Sequence, residues 1–373
     1  NPRFAPREHP DHTHYISSGF VDNSDECHLS KDEFNNDYLL ELMQSSASPG
    51  SFITKHDRVS TPTRDYPSVA VDNLRELLNR ECSENEIELM NLYIQYIGWN
   101  DLDITTDVLV TLLEQIVADD RTCVAGIESI RSSMIDSDKP LHLSSEALVS
   151  ICEKAIPNID ELFSSESAII NNSNPDWILM GINHPAGKYV ELLAEADRSF
   201  FEEQELHSQQ ASVCFERISE KLSAESDAAR CVIACIFSRI NVLNGLNPDC
   251  FKNKLLYALL PDNWAFSSAW EGLSYAGGLT SEVWAATKEL WSGLFRNYHL
   301  IGKNQFEQLV RLYVWIVIVL VELEDRSHFL VVGASASKDA LRSACMQLDN
   351  WMGTLDEEDR LNEWDMWLAE SFG

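Results

Sequence analysis

The sequence predicts an all-α protein, either an irregular helical array or an α-solenoid of the HEAT type. Apolar residues recur every three to four positions through most of its 373 residues, the period of one helix face. Two of these runs open on a Ser-x-x-Glu capping box, which satisfies the orphan N–H groups of a helix start. No alternation of apolar and polar residues persists long enough to build a sheet. The joints between runs are short, which favours antiparallel neighbours. No strict repeat is present, so repeats, if any, have diverged.

Residues 1–29 are rich in His, Pro and Asp and read as irregular. The chain begins at Asn1 rather than Met, so no domain is argued absent. Ser30 and Glu33 form the first capping box, ahead of Phe34, Tyr38, Leu39 and Leu42. Residues 44–67 are polar and punctuated by Pro and Gly, and read as a connector. From Ser68 the apolar spacing is helical. Ser83 and Glu86 form the second box, and the helix behind them stops at Gly98-Trp99-Asn100. Further helices are expected at 124–134, 144–155 and 159–170. The second half reads as helices near 185–203, 208–222, 226–244, 248–260, 264–275, 280–296, 303–324, 336–352 and 358–370. Leu312–Val321 and Phe329–Val332 are β-branched enough to be strands or buried helix. The expected organisation is an irregular segment with one helix and a linker over 1–67, then helical subdomains over 68–170 and 171–373.

Apolar residues make up 45% of the chain, enough for a real core. The formal charge is −32, from 60 acidic and 28 basic residues. Such a chain repels phosphate backbones, so direct nucleic-acid binding is not expected. A solvated acidic surface accounts for the charge. A DNA-mimicking surface, or one that docks a basic partner, is the alternative. Nine cysteines, an odd number with no Cys-x-x-Cys pair, read as reduced, buried thiols of a cytoplasmic protein. The triplet Asn171-Asn172-Ser173 fits a glycosylation site, but nothing else suggests secretion. The longest apolar run, Leu312–Val321, is about half a membrane span, so no membrane insertion is expected.

The most specified stretch is Trp177–Ala196, a short apolar helix, Asn-His-Pro-Ala-Gly-Lys, and a second, amphipathic helix. A residue before Pro is held extended, and Pro suits the first helical turn. Asn183 or His184 can then cap the second helix. Gly187 lets another backbone approach closely. Lys188 sits in the first turn, where the helix dipole disfavours a cation. That placement predicts an outside partner for it, such as a carboxylate on a neighbouring helix. The segment reads as a lock between two helices, or as a partner site. With Trp270 and Trp291, residues Asn183, His184, Gly187 and Lys188 form the candidate partner-binding set.

Asn183–Lys188 with its flanking apolar helices resembles a segment in the large helical C-terminal regions of bacterial anti-phage defence proteins, of the kind that follow a sirtuin-like NAD-consuming domain. Glu8-His9-Pro10-Asp11 resembles an opening segment of those regions. Ala269-Trp270-Glu271-Gly272 with Leu290–Phe295 resembles their paired Trp-Gly helices, and Leu348–Trp364 their closing Trp-containing helices. In that family the enzymatic domain lies outside this region. The resemblance therefore implies a sensing, scaffolding or assembly role, and supplies no catalytic residue.

No other motif carries chemistry. Val331–Ser337 offers an apolar run and small residues but no G-x-G-x-x-G, and reads as a helix cap through Ser335 or Ser337. His9, His12, His14, Cys27 and His28 match no zinc spacing. No G-x-S-x-G, P-loop or H-E-x-x-H occurs. The aromatic stripe Trp264, Phe266, Trp270, Tyr275, Trp284, Trp291, Phe295 and Tyr298 reads as core, and any exposed part of it would mark an interaction surface. The resulting expectation is a non-enzymatic region with no cofactor and no metal. It would bind a protein partner, either a phage protein or its own effector domain or subunit, with homo-oligomers possible. The alternatives are an acidic DNA-mimic or inhibitor, and an enzyme whose site is dispersed in sequence.

Overall fold

The computed structural model describes residues 30–31, 33–44, 55–135, 140–164, 175–198 and 205–369. Every regular element among them is helical, and no strand occurs among the described residues. The chain divides into two compact units, Asn1–Gly98 and Trp99–Gly373.

In the first unit α1 (Asn36–Gln44), α2 (Lys55–Asp65), α3 (Pro67–Leu78) and α4 (Glu84–Tyr96) pack on one another. The core is Phe34, Leu39, Val59, Leu74, Leu77, Met90 and Tyr93, all buried. A polar network threads it. The Tyr93 hydroxyl donates to Asn36 Oδ1 at 3.0 Å, Asn36 Nδ2 to the Asn73 carbonyl at 3.2 Å, and Asn73 Nδ2 to the Phe34 carbonyl at 3.2 Å. Buried polar groups satisfied in this way fix one arrangement of the three helices.

Two expectations change here. The stretch read as a connector contains α2, with Pro62 inside it. Val59 and Thr63 are fully buried and hold the helix against α4, which outweighs the missing proline N–H. Ser30 and Glu33 do bond to each other, but α1 starts later, and Asn35 Oδ1 accepts the Tyr38 N–H as its cap. The second box behaves as expected: Glu86 Oε2 accepts from both the Ser83 N–H and hydroxyl at 2.7 Å. The expected division after residue 67 falls behind the first residue of α3, which packs on α2.

The second unit contains α5 (Thr106–Ala118), α6 (Cys123–Ile135), α7 (Ser145–Ala155), α8 (Ile159–Ser164), α9 (Trp177–Asn183), α10 (Pro185–Arg198), α11 (Glu205–Lys221), α12 (Asp227–Ser238) and α13 (Ile240–Leu246). Helix α10 lies in the middle and packs on α6, α7, α8, α9, α11, α12 and α13. It is buried on nearly every side from Ala186 to Ala194, including Glu191. The expected division after residue 170 therefore crosses a packed core. The single helix expected over 226–244 is two, bent by 90° at Arg239. The bend lets α12 bury Cys231–Phe237 and α13 bury Ile240, Leu243 and Leu246 in different directions.

An irregular run, Pro248–Cys250, Phe251–Leu255 and Leu256–Leu259, leads to α14 (Phe266–Ser274), α15 (Ser281–Thr287), α16 (Trp291–Arg296), α17 (Lys303–Leu320), α18 (Leu323–Ala334), α19 (Lys338–Met352) and α20 (Glu357–Glu363). Both strand candidates are helical: Leu312–Val321 lies in α17 up to Leu320, with Val321 as its extended cap, and Phe329–Val332 lies in α18. Tyr313 lies between Trp291 and Phe295, with centroids at 5.0 and 4.9 Å, and Gly333 packs against its ring. Ser337 Oγ caps α19 by accepting the Ala340 N–H at 3.0 Å. No single described helix is long and apolar enough to cross a membrane; only the bent pair α12–α13 reaches that length and hydropathy together.

Candidate functional site

The Trp177–Ala196 segment forms the tightest helix junction in the second unit. A Cβ on Gly181 would stand 2.6 Å from Cys235 Sγ and 2.7 Å from the Cys231 carbonyl oxygen. A Cβ on Gly187 would overlap the Gly181 carbonyl and stand 3.1 Å from Cys235 Sγ. Helices α9, α10 and α12 thus meet through two glycines and the small side chains of α12. Gly272 does the same on another side of α12, where a Cβ would overlap the Ala234 carbonyl oxygen.

His184 and Lys188 are used inside the fold. The buried His184 accepts the Ala186 N–H on Nδ1 at 3.2 Å, which requires that nitrogen to be unprotonated. It caps α10, whereas Asn183 turns back and donates to the Leu179 carbonyl at 2.8 Å. Lys188 Nζ donates to Glu128 Oε1 of α6 at 2.9 Å, a carboxylate on a neighbouring helix. Trp270 and Trp291 are fully buried edge-to-face partners, centroids 4.9 Å apart. They offer no surface to a partner, because each covers the other. Of the six candidates, only Asn183 is exposed.

The polar side of this junction was not singled out in the sequence. Asp176 caps α9 by accepting the Leu179 N–H at 2.9 Å. Glu271 of α14, only 4% exposed, accepts the Ile178 N–H at 3.0 Å and lines a groove together with Asp176. Burial, opposed by the backbone N–H groups and reinforced by Asp176, pushes the Glu271 carboxyl up to about 8. Burial and the same two carboxyls also push the Tyr275 phenol up. On α10 the buried Glu191 receives Arg131 Nε at 2.6 Å, while Arg239 Nη2 stands 3.9 Å from its other oxygen.

Two grooves flank Asp176. One, about 370 Å³, runs past Ile178, Leu179 and Ile182 to Tyr275, Ser238 and Arg239. The other, about 360 Å³, is bounded by Asp176, Glu271 and the start of α17. Leu179 is 54% exposed and Tyr275 47% exposed, and both line the first groove. The Arg239 side chain is about one-third exposed, with 34% of its area open. A leucine, an aromatic ring and a guanidinium whose nearest carboxylate lies beyond hydrogen-bond reach make a groove suited to a polypeptide.

The nucleophile classes are silent here. Burial pushes the Cys231 and Cys123 thiols up to about 12, and Cys214 to about 11. Among the described residues no three His, Cys, Asp or Glu side chains gather to hold a metal. The expected non-ligands His9, His12, His14, Cys27 and His28, and the triplet at Asn171, lie outside the described residues. One signal could have found Glu271: it is a lone acid between Trp270 and Gly272 in an apolar helix. Comparison with known protein families, characterised proteins and solved structures finds no match to this chain.

Proposed function

We propose that this chain is a non-enzymatic helical region of a bacterial anti-phage defence protein, acting in the cytoplasm. It senses or scaffolds by binding a protein partner, either a phage protein or its own effector domain or subunit. The resemblance of Asn183–Lys188 and the Trp-Gly helices supports the family. The observation that carries the binding role is the groove in which exposed Leu179 and Tyr275 lie alongside Arg239. Tyr and Arg are enriched among the residues that dominate interface energetics, and an under-bonded guanidinium gains most from a partner carboxylate. The charge of −32 speaks against a nucleic-acid partner.

The test is a two-hybrid screen of this chain against a tiled library of phage proteins, against itself, and against the remainder of its own reading frame. A partner is expected whose signal is lost in Leu179→Ala/Arg239→Ala but kept in Val319→Ala, which alters an exposed residue of α17 away from the groove lining. A screen with no groove-dependent hit overturns the binding role. NAD turnover by the purified chain would overturn its non-enzymatic character.

A further inference from the structure

Helix α17 is a core helix with one narrow open stripe. From Phe306 to Leu320 its exposed residues are Gln308, Arg311, Trp315 and Val319, spaced three or four apart and therefore on one face. The middle of the stripe is apolar: Trp315 is 41% exposed and Val319 54%. Opposite charges close its two ends. Arg311 lies one turn before Trp315, and Glu322 lies just past the helix end, three residues after Val319. Neither charged side chain has an ion-pair or hydrogen-bond partner among the described residues. About 16 Å of helix separates the two, so they do not meet each other. We propose that a second copy of this chain covers this face, its α17 crossing antiparallel about a two-fold axis between Trp315 and Val319, so that Arg311 of each copy meets Glu322 of the other.

A two-fold contact needs a patch that is complementary to itself. This stripe reads cation, Trp, Val, anion in chain order. An antiparallel copy sets each cation on an anion and each Trp on a Val, whereas a parallel copy sets like charge on like. Glu324 and Asp325, in the first turn of α18, strengthen the anionic end. Paired helices lie about 8–10 Å apart, within reach of these side chains. The tryptophan supplies most of the affinity, and the exposed charge pairs fix the register. The chain's charge of −32 makes two copies repel at long range. At physiological salt that repulsion is screened beyond about 8 Å, so the contact itself decides. One helix face from each copy makes a small interface, which implies a weak dimer. The proposal goes beyond the binding role of the groove, and the stripe shares no residue with the groove lining.

Sedimentation equilibrium of the whole chain at physiological salt tests it, with circular dichroism to show that each variant is folded. The wild type should dimerise as its concentration rises to about 200 µM, and Trp315→Ala should raise the dissociation constant about ten-fold or more. Arg311→Glu and Glu322→Arg should each weaken the dimer when alone, because each sets like charges together at both ends. Mixed in equal amounts, the two single variants should form a heterodimer about as tight as the wild type. In it the introduced Glu faces the introduced Arg at one end, and the native pair is kept at the other. Leu179→Ala/Arg239→Ala, which alters the groove instead, should dimerise as the wild type does. A wild type that stays monomeric throughout, a dimer indifferent to the α17 variants, or a mixture no tighter than its components would overturn the proposal.

Discussion

Gly187 and Gly181 touch through their backbones: a Cβ added to Gly187 would stand 2.7 Å from the Gly181 carbonyl carbon. Neither helix can retreat, because Cys235 closes the other side. Gly187→Ala should therefore cost about 3 kcal/mol of stability by overpacking. Gly245→Ala is the control. It lies exposed in α13 with no atom near its would-be Cβ, and should gain about 0.5 kcal/mol from helix propensity. Denaturant unfolding of the two variants checks both signs.

Arg131 and Glu191 form a nearly dry ion pair between α6 and α10. Arg131→Met should cost about 3 kcal/mol, since it leaves the Glu191 carboxylate buried with only the more distant Arg239. Arg131→Met combined with Glu191→Leu should recover most of that loss. A double-mutant cycle by chemical denaturation measures the coupling.

The pH dependence of stability carries the mark of Glu271. Its carboxyl titrates near 8 in the fold and near 4.5 ordinarily. Between those values the native chain holds a proton that the unfolded chain has released, so stability falls as pH rises, by up to about 1.4 kcal/mol per unit. Glu271→Gln should remove that slope, leaving the variant relatively more stable at pH 8 than at pH 5. Thermal melts of both proteins across that range give the comparison.

The two central tryptophans should respond differently to loss of their N–H. Trp270 Nε1 donates to the Leu259 carbonyl at 3.1 Å, while Trp291 Nε1 is buried without a partner. Trp270→Phe should cost about 1 kcal/mol more than Trp291→Phe, because it also orphans a buried carbonyl. Urea midpoints report the difference.

Thiol reactivity should follow burial. Among the described cysteines, Cys345 is exposed and should be alkylated first by iodoacetamide at pH 8. Cys152, Cys231 and Cys235, with thiols held above their ordinary range, should react only on unfolding. Peptide mapping with and without denaturant distinguishes the two groups.

The helices were legible because their apolar period is strong, and Gly187 and Lys188 were legible because each breaks a local rule for a visible reason. The breaks within helices were not. At Arg239 the apolar spacing runs on unchanged while the backbone turns, and at Lys288–Leu290 a 3-10 turn interrupts an otherwise continuous pattern. Helix α2 was hidden by Pro62 and a polar composition that only Val59 and Thr63 offset. The Glu271–Ile178 bond was out of reach for a different reason. Glu271 bonds a residue 93 positions away, and nothing local to either marks the other.

The glycine contact between α9 and α10 also limits how this chain can drift in evolution. A side-chain contact can be rebuilt by paired changes, but a place where two main chains press together admits no larger residue on either strand of the lineage. Descendants that keep this arrangement must therefore retain Gly at both positions, six apart, and small residues where Cys231 and Cys235 stand one turn apart. That spacing gives a means of finding distant kin after the rest of the text has been rewritten.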